Sequence, residues 1–368
     1  MKKMIWLVWL MLALLPFGAG AEFAPSSEQF DLELAQTALQ IAEMCYLPSM
    51  QASVLSVGGY RQVGLYNMDR TQDDSRHVAA YALYDRTMED GRTEVIIAIR
   101  GTGDGEWKLN LDLMPSGNYD LPYAENFVLA AEDILSTHQE YLDKLISPTF
   151  LITGHSRGAA VANILGARLT DRFHAENVYV YTFATPRTVR GEYPVYTNIF
   201  NVINPADLVT YLPFPQWGFQ RYGIDVELPV EDEALLPTVQ AAYEQRTDQT
   251  GAFVSTLGKT AETKKIMDAM ASLAPDLETS FQLRHALSHP GEAAENEPGM
   301  TADSFMLMIL SGSMKTSQAP SDDLLAIMQE QNDFTPLLSI FLSDEESNAW
   351  MASMHMPATY GAWLSVLQ

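Results

Sequence analysis

The apolar run Phe150-Leu151-Ile152-Thr153 ends in Gly154-His155-Ser156-Arg157-Gly158 and continues into AAVANILGARL, a stretch crowded with small residues. A short β-rich run that stops at a glycine and resumes as a helix-forming segment reads as strand, sharp turn, helix. That unit restricts the chain to folds in which a buried strand feeds a closely packed helix. The flanking pattern agrees. YALYD (81–85) and TEVIIAIRGT (93–102) read as two strands joined by a turn at Asp90-Gly91. VYVYTFATP (178–186) and NIFNVINP (198–205) read as two further buried strands separated by a loop. Residues 28–47, and the stretch from Tyr123 to about Leu145 that Pro148 closes off, show helical spacing. Strands alternating with helices predict an α/β fold with a mostly parallel central sheet flanked by helices.

Beyond RYGIDVELPV (221–230) the character changes. Residues 231–345 hold no convincing strand, carry helical patterns such as KKIMDAMASL and DDLLAIMQEQ, and are interrupted by the acidic stretch HPGEAAENEPG. The expected division is a core over 22–230, a helical insertion or cap over 231–345, and a last core piece over 346–368. Methionines 267, 270, 300, 306, 308, 314 and 328 lie in the insertion. Methionine adapts to irregular apolar partners, which suits a cap over an apolar groove, although helical spacing favours ordinary core packing for most of them.

The N-terminus, MKKMIWLVWLMLALLPFGAGAEF, joins two lysines to an apolar run from Met4 to Phe17 and then to Ala19-Gly20-Ala21. This is the pattern of a secretory leader cut after residue 21. The run is shorter than the roughly 20 residues that span a bilayer, no cysteine offers a lipid anchor there, and no later segment is long and apolar enough for a membrane span. An exported chain, more plausibly bacterial, is expected. Its single cysteine, Cys45, allows no internal disulfide and sits in an apolar helical pattern as a buried, inert thiol.

With 368 residues and 47% hydrophobic content the chain can bury a large core. Its formal charge of -25 becomes -27 when Lys2 and Lys3 leave with the leader. Such a surface excludes nucleic acid as a partner and disfavours anionic membranes. A lipid target, if there is one, is expected to be neutral.

Gly154-x-Ser156-x-Gly158 is the spacing that places a serine on a strained turn between strand and helix, where side chains at the flanks would strike backbone. The helix that follows aims its first N–H groups at a developing oxyanion. A serine hydroxyl attacks only with a base beside it and a carboxylate orienting that base. The acid and then the histidine should follow the serine in the chain. Asp207, in NVINPADLVTYLP, stands just past a predicted strand, although an aspartate there can equally cap a turn. His77, His138 and His174 precede the acid, and His155 lies inside the turn, packed beside the sheet. His285, His289 and His355 are left, and chain order alone does not choose among them.

IRGTGDGEWKLNLDL, TGHSRGAAVANILGARL, YTFATPR, NVINPADLVTYLP and HMPATYGAWL occur in that order. As a set they resemble the class 3 lipase family of α/β-hydrolases over roughly residues 28–230 and the last twenty. The resemblance implies Ser156 as nucleophile, Asp207 as acid in its Asp-x-Val-x-x-Leu-Pro setting, and His355 as base before Tyr360, Trp363 and Leu364. It implies Thr102 and Arg157 as the oxyanion hole. It places a lid over Gly103 to about Tyr119, with Trp107, Leu109, Leu111, Leu113 and Met114 able to meet a lipid–water interface. Activity on acylglycerols or other acyl esters follows, through an acyl-enzyme and with neither cofactor nor metal.

Two departures stand out. Ala184 occupies the place of a usual glycine, and 148 positions separate Asp207 from His355, which makes His289 the rival base. A phospholipase, a short-chain esterase or an acyltransferase would suit the same residues. A non-catalytic binding protein on a hydrolase scaffold is the alternative of another class.

Overall fold

The computed structural model describes residues 23–68, 79–101, 125–273 and 345–367. The leader 1–21, Thr102, the lid segment 103–119, His77, His285, His289, the acidic stretch and methionines 300, 306, 308, 314 and 328 lie outside them.

Helix α1, Leu32–Met44, begins where the Asp31 carboxylate accepts the Leu34 N–H at 2.8 Å, a side-chain cap for a donor the helix cannot satisfy itself. Its apolar face, with Leu34, Leu39 and Ile41, is buried against the sheet. Cys45 follows it in the core, and burial pushes its thiol up to about 12. Helix α2, Pro48–Val57, opens on a proline, whose missing N–H costs nothing in a first turn.

Strands β1 (Arg61–Tyr66), β2 (Tyr81–Thr87) and β3 (Thr93–Ile99) form an antiparallel meander. The β2–β3 turn closes with Met88 N–H donating to the Arg92 carbonyl and Gly91 at φ +86°. The helical stretch expected from Tyr123 is two helices, α3 (Glu125–Thr137) and α4 (Gln139–Asp143), broken at His138. The His138 ring turns into the core and meets the Tyr81 hydroxyl at 2.9 Å, a tertiary contact that helical periodicity cannot reveal.

Strand β4, Pro148–His155, leads into α5, Arg157–Phe173. Then come β5 (Val178–Phe183), the short β6 (Val189–Arg190), β7 (Ile199–Ile203), the short β8 (Phe219–Gln220) and β9 (Ile224–Glu227). The seven-stranded sheet has the order β1-β2-β3-β4-β5-β7-β9, and every pair from β3 onward is parallel, while β6 and β8 make a separate ribbon. The expected α/β architecture is the one observed.

The sheet is covered on both faces. On one, Ile97, Ile99 and Ile152 pack with Val161 and Leu165 of α5 and Phe127 and Ile134 of α3. On the other, Tyr84, Ile96, Leu151 and Phe183 pack with α1 and with Trp363 and Leu364 of the C-terminal helices α8 (Glu345–His355) and α9 (Pro357–Leu364). Each fully buried side chain of this size contributes roughly 1.5–3 kcal/mol.

Helices α6 (Leu236–Thr247) and α7 (Lys259–Leu273) belong to the stretch read as an insertion. Both are built into the core: Val239 and Tyr243 join one apolar cluster, Ile266 and Met267 the other. The Thr263 hydroxyl donates to the Ala206 carbonyl at 2.8 Å, which ties α7 to the segment carrying Asp207. The described first part of 231–345 is therefore continuous with the body of the protein. Among the described residues no helix is long and apolar enough to cross a membrane.

Candidate active site

Strand β4 is fully buried over its last six residues, and at Ser156 the chain reverses with φ 59° and ψ -127°. An L-residue in this region stores about 1–3 kcal/mol of strain and persists only when its surroundings hold it. Here the Ser156 N–H donates to the Phe183 carbonyl of β5 at 2.9 Å, and its carbonyl accepts the Ala160 N–H at 3.1 Å as α5 begins. The two glycines are demanded by close approach. A Cβ on Gly154 would lie 2.4 Å from the Gly158 carbonyl oxygen, and one on Gly158 would lie 2.3 Å from that of Ile99. Without side chains, α5 can start directly over β3 and β4, with its first N–H groups beside the serine.

The His355 ring faces Ser156 across the end of the sheet. Its Nε2 lies 2.9 Å from Ser156 Oγ and its Nδ1 lies 2.8 Å from Asp207 Oδ2. All three side chains are buried. A carboxylate only accepts hydrogen bonds, so Nδ1 carries the ring proton and Nε2 turns its lone pair to the serine hydroxyl.

Asp207 follows β7, and its two carboxylate oxygens have different partners. Its Oδ1 accepts the Val209 N–H at 2.9 Å and caps the 3-10 turn Leu208–Tyr211. Its Oδ2 holds the imidazole and also accepts the Tyr360 hydroxyl at 2.7 Å. Burial first, then the neighbouring Asp207 charge, pushes the Tyr360 phenol well above its ordinary range, so it stays a donor. The Asn204 main-chain N–H reaches the same phenol oxygen at 3.2 Å.

Arg157 is the first residue of α5, where opening N–H groups lack intrahelical acceptors. Thr102, the other expected oxyanion donor, lies outside the described residues, but Gly101 before it packs on the turn. A Cβ there would meet the His155 carbonyl at 2.6 Å and sit 3.5 Å from the Ser156 Cβ. His289 also lies outside, while the place opposite Ser156 is taken by His355.

Three neighbours escaped the sequence reading. The Tyr46 hydroxyl stands 2.4 Å from the same point beside Gly101, at the edge of the site. Asn204 donates from Nδ2 to the Met354 carbonyl at 2.9 Å, joining the acid's loop to α8. His155, expected merely to pack beside the sheet, donates from Nε2 to the His355 carbonyl at 2.8 Å. The Asn204 and His155 bonds join segments distant in the chain, and no local sequence signal announces them. Among the described residues no group of three or more His, Cys, Asp or Glu side chains could hold a metal ion.

A doubly covered, mostly parallel sheet with a serine on a strained strand–helix turn at its edge defines the α/β-hydrolase class. A model of the family Lipase (class 3) matches residues 96–217, about a third of the chain, which include Ser156 and Asp207. The matched stretch is similar to lipase-type hydrolases. Similar solved structures include the triacylglyceride lipase of Rhizomucor miehei, at 18% identity over 53% of this chain and 79% of that one, TM-score 0.41. A lipase of Rhizopus microsporus var. chinensis shares 16% identity over 52% and 72%, TM-score 0.40. Lipase II of Rhizopus niveus shares 16% over 52% and 78%, TM-score 0.40.

Proposed function

We propose that this protein is an exported serine hydrolase that cleaves neutral acylglycerol esters through an acyl-enzyme. The observation that carries the reading is the unbroken chain of hydrogen bonds from Ser156 Oγ through the His355 ring to Asp207. Export rests on the leader pattern of residues 1–21. The preference for an uncharged ester rests on the formal charge of -25, which repels anionic phospholipid surfaces.

In the first step Ser156 Oγ adds to the ester carbonyl carbon while its proton passes to His355 Nε2. Asp207 stabilises the imidazolium so formed, and the Tyr360 and Val209 donors keep that carboxylate fixed. The carbonyl oxygen gains negative charge and is met by the Arg157 N–H and, as the second donor, Thr102. Each such donor contributes about 3 kcal/mol to lowering the barrier. Collapse breaks the C–O bond as His355 gives its proton to the departing alcohol, leaving Ser156 acylated. Water, deprotonated by the same imidazole, then releases the carboxylic acid and restores the serine.

The test is labelling with a fluorophosphonate and hydrolysis of emulsified triacylglycerol beside anionic phospholipid vesicles. Wild type is expected to label at Ser156 and to cleave the neutral ester faster, and Ser156→Ala to do neither. Asp207→Asn is expected to lower kcat by on the order of 10⁴. Labelling of Ser156→Ala at the wild-type rate would overturn the reading.

A further inference from the structure

His155 is a buried titratable group at the site that the reaction just described does not use. It is the last residue of β4 and the immediate neighbour of Ser156. Its ring lies against that of His355, centroids 4.9 Å apart, and its Nε2–H donates to the His355 main-chain carbonyl at 2.8 Å. A main-chain carbonyl can only accept, so Nε2 carries the proton. Nδ1 is buried with no hydrogen-bond partner among the described residues.

The acceptor explains the arrangement. His355 ends helix α8, and the last carbonyls of a helix have no intrahelical donor. In a buried site each needs a hydrogen-bond partner. The Met354 carbonyl takes the Asn204 amide, from the loop of the acid, and the His355 carbonyl takes His155, from the turn of the nucleophile. The imidazole of His355 is thus held at two points, its ring by Asp207 and its backbone by the residue next to Ser156.

We propose that His155 is a positioning residue: by capping α8 from the nucleophile's own backbone, it sets the approach of the His355 ring to Ser156. The proposal rests on the triad reading above. Burial first, then the neighbouring His355, holds the His155 imidazole well below its ordinary range. It therefore stays a neutral donor while His355 is transiently charged, and adds no competing cation.

The experiment compares His155→Phe and His155→Leu, which lose the donor at different volumes, with His155→Gln, whose amide keeps one. Turnover and KM on a soluble ester, the rate of fluorophosphonate labelling and the thermal midpoint are measured for each. A folded donorless variant is expected to lose about tenfold in kcat and in labelling rate with KM unchanged, as misplacement of a catalytic group does. His155→Gln is expected to recover most of that loss. Wild-type turnover in a donorless variant, or a Gln variant as slow as the donorless ones, would overturn the proposal. So would a loss confined to KM or to the thermal midpoint. Ser156→Ala and His355→Ala run alongside: if they label normally, the triad reading fails, whatever the His155 variants do.

Discussion

Asp207 shows how much one carboxylate can be asked to do. Its two oxygens accept from the Val209 main chain, the His355 ring and the Tyr360 hydroxyl. Tyr360→Phe removes a donor from a buried anion and leaves the Asn204 N–H without its phenol acceptor. A hydrogen bond to a charged group contributes about 1.5–3 kcal/mol. The variant is expected to lose about that much stability in urea unfolding and to turn over more slowly, because the carboxylate is freer to move. An unchanged unfolding midpoint would count against the bond. Ala184 carries the departure noted in the sequence: it stands at φ +54° directly after β5, where glycine would be unstrained.

The strand–turn–helix unit of β4, Ser156 and α5 stands or falls by its glycines. Gly158→Ala would put a Cβ 2.3 Å from the Ile99 carbonyl and within 2.8 Å of Arg100 backbone, neither of which can yield without moving β3. Overpacking of this kind costs typically 1–3 kcal/mol, and the displaced helix would carry its first N–H groups away from Ser156. The expected outcome is a lowered unfolding midpoint together with a loss of fluorophosphonate labelling larger than the stability change explains. This unit was legible because its signal is local, a buried run, two glycines and a small-residue helix within twenty positions. Strand β1 was not, since RQVGLY is an edge strand with mostly exposed or half-buried side chains and little apolar alternation. The helical spacing across 123–145 did not show the break at His138 between α3 and α4, where the ring meets the Tyr81 hydroxyl.

Two buried neutral histidines make the stability of the entire fold depend on pH. Burial lowers the pKa of His138, with the nearby Asp133 opposing, and lowers that of His155 further. Their unfolded values lie near 6.5, so between the folded and unfolded values the unfolded chain binds more protons. Their contribution is therefore complete above about pH 6.5 and is lost as the pH falls below it. The urea midpoint is expected to fall between pH 7.5 and pH 5, and His138→Gln to flatten that fall; an equal slope in the variant would remove His138 from the account. Read alone, the sequence determined the alternating α/β architecture, the strained turn at Ser156, the setting of Asp207 and the net negative surface, because these depend on periodicity, local glycine placement and charge. What only the tertiary structure decided was which histidine faces the serine, that α6 and α7 share the core, and that Asn204 and His155 cap the helix bearing His355. Such contacts join residues 150 and 200 positions apart. No local pattern encodes them, because the carbonyls of α8 gain partners only once the sheet has brought three distant loops to one edge.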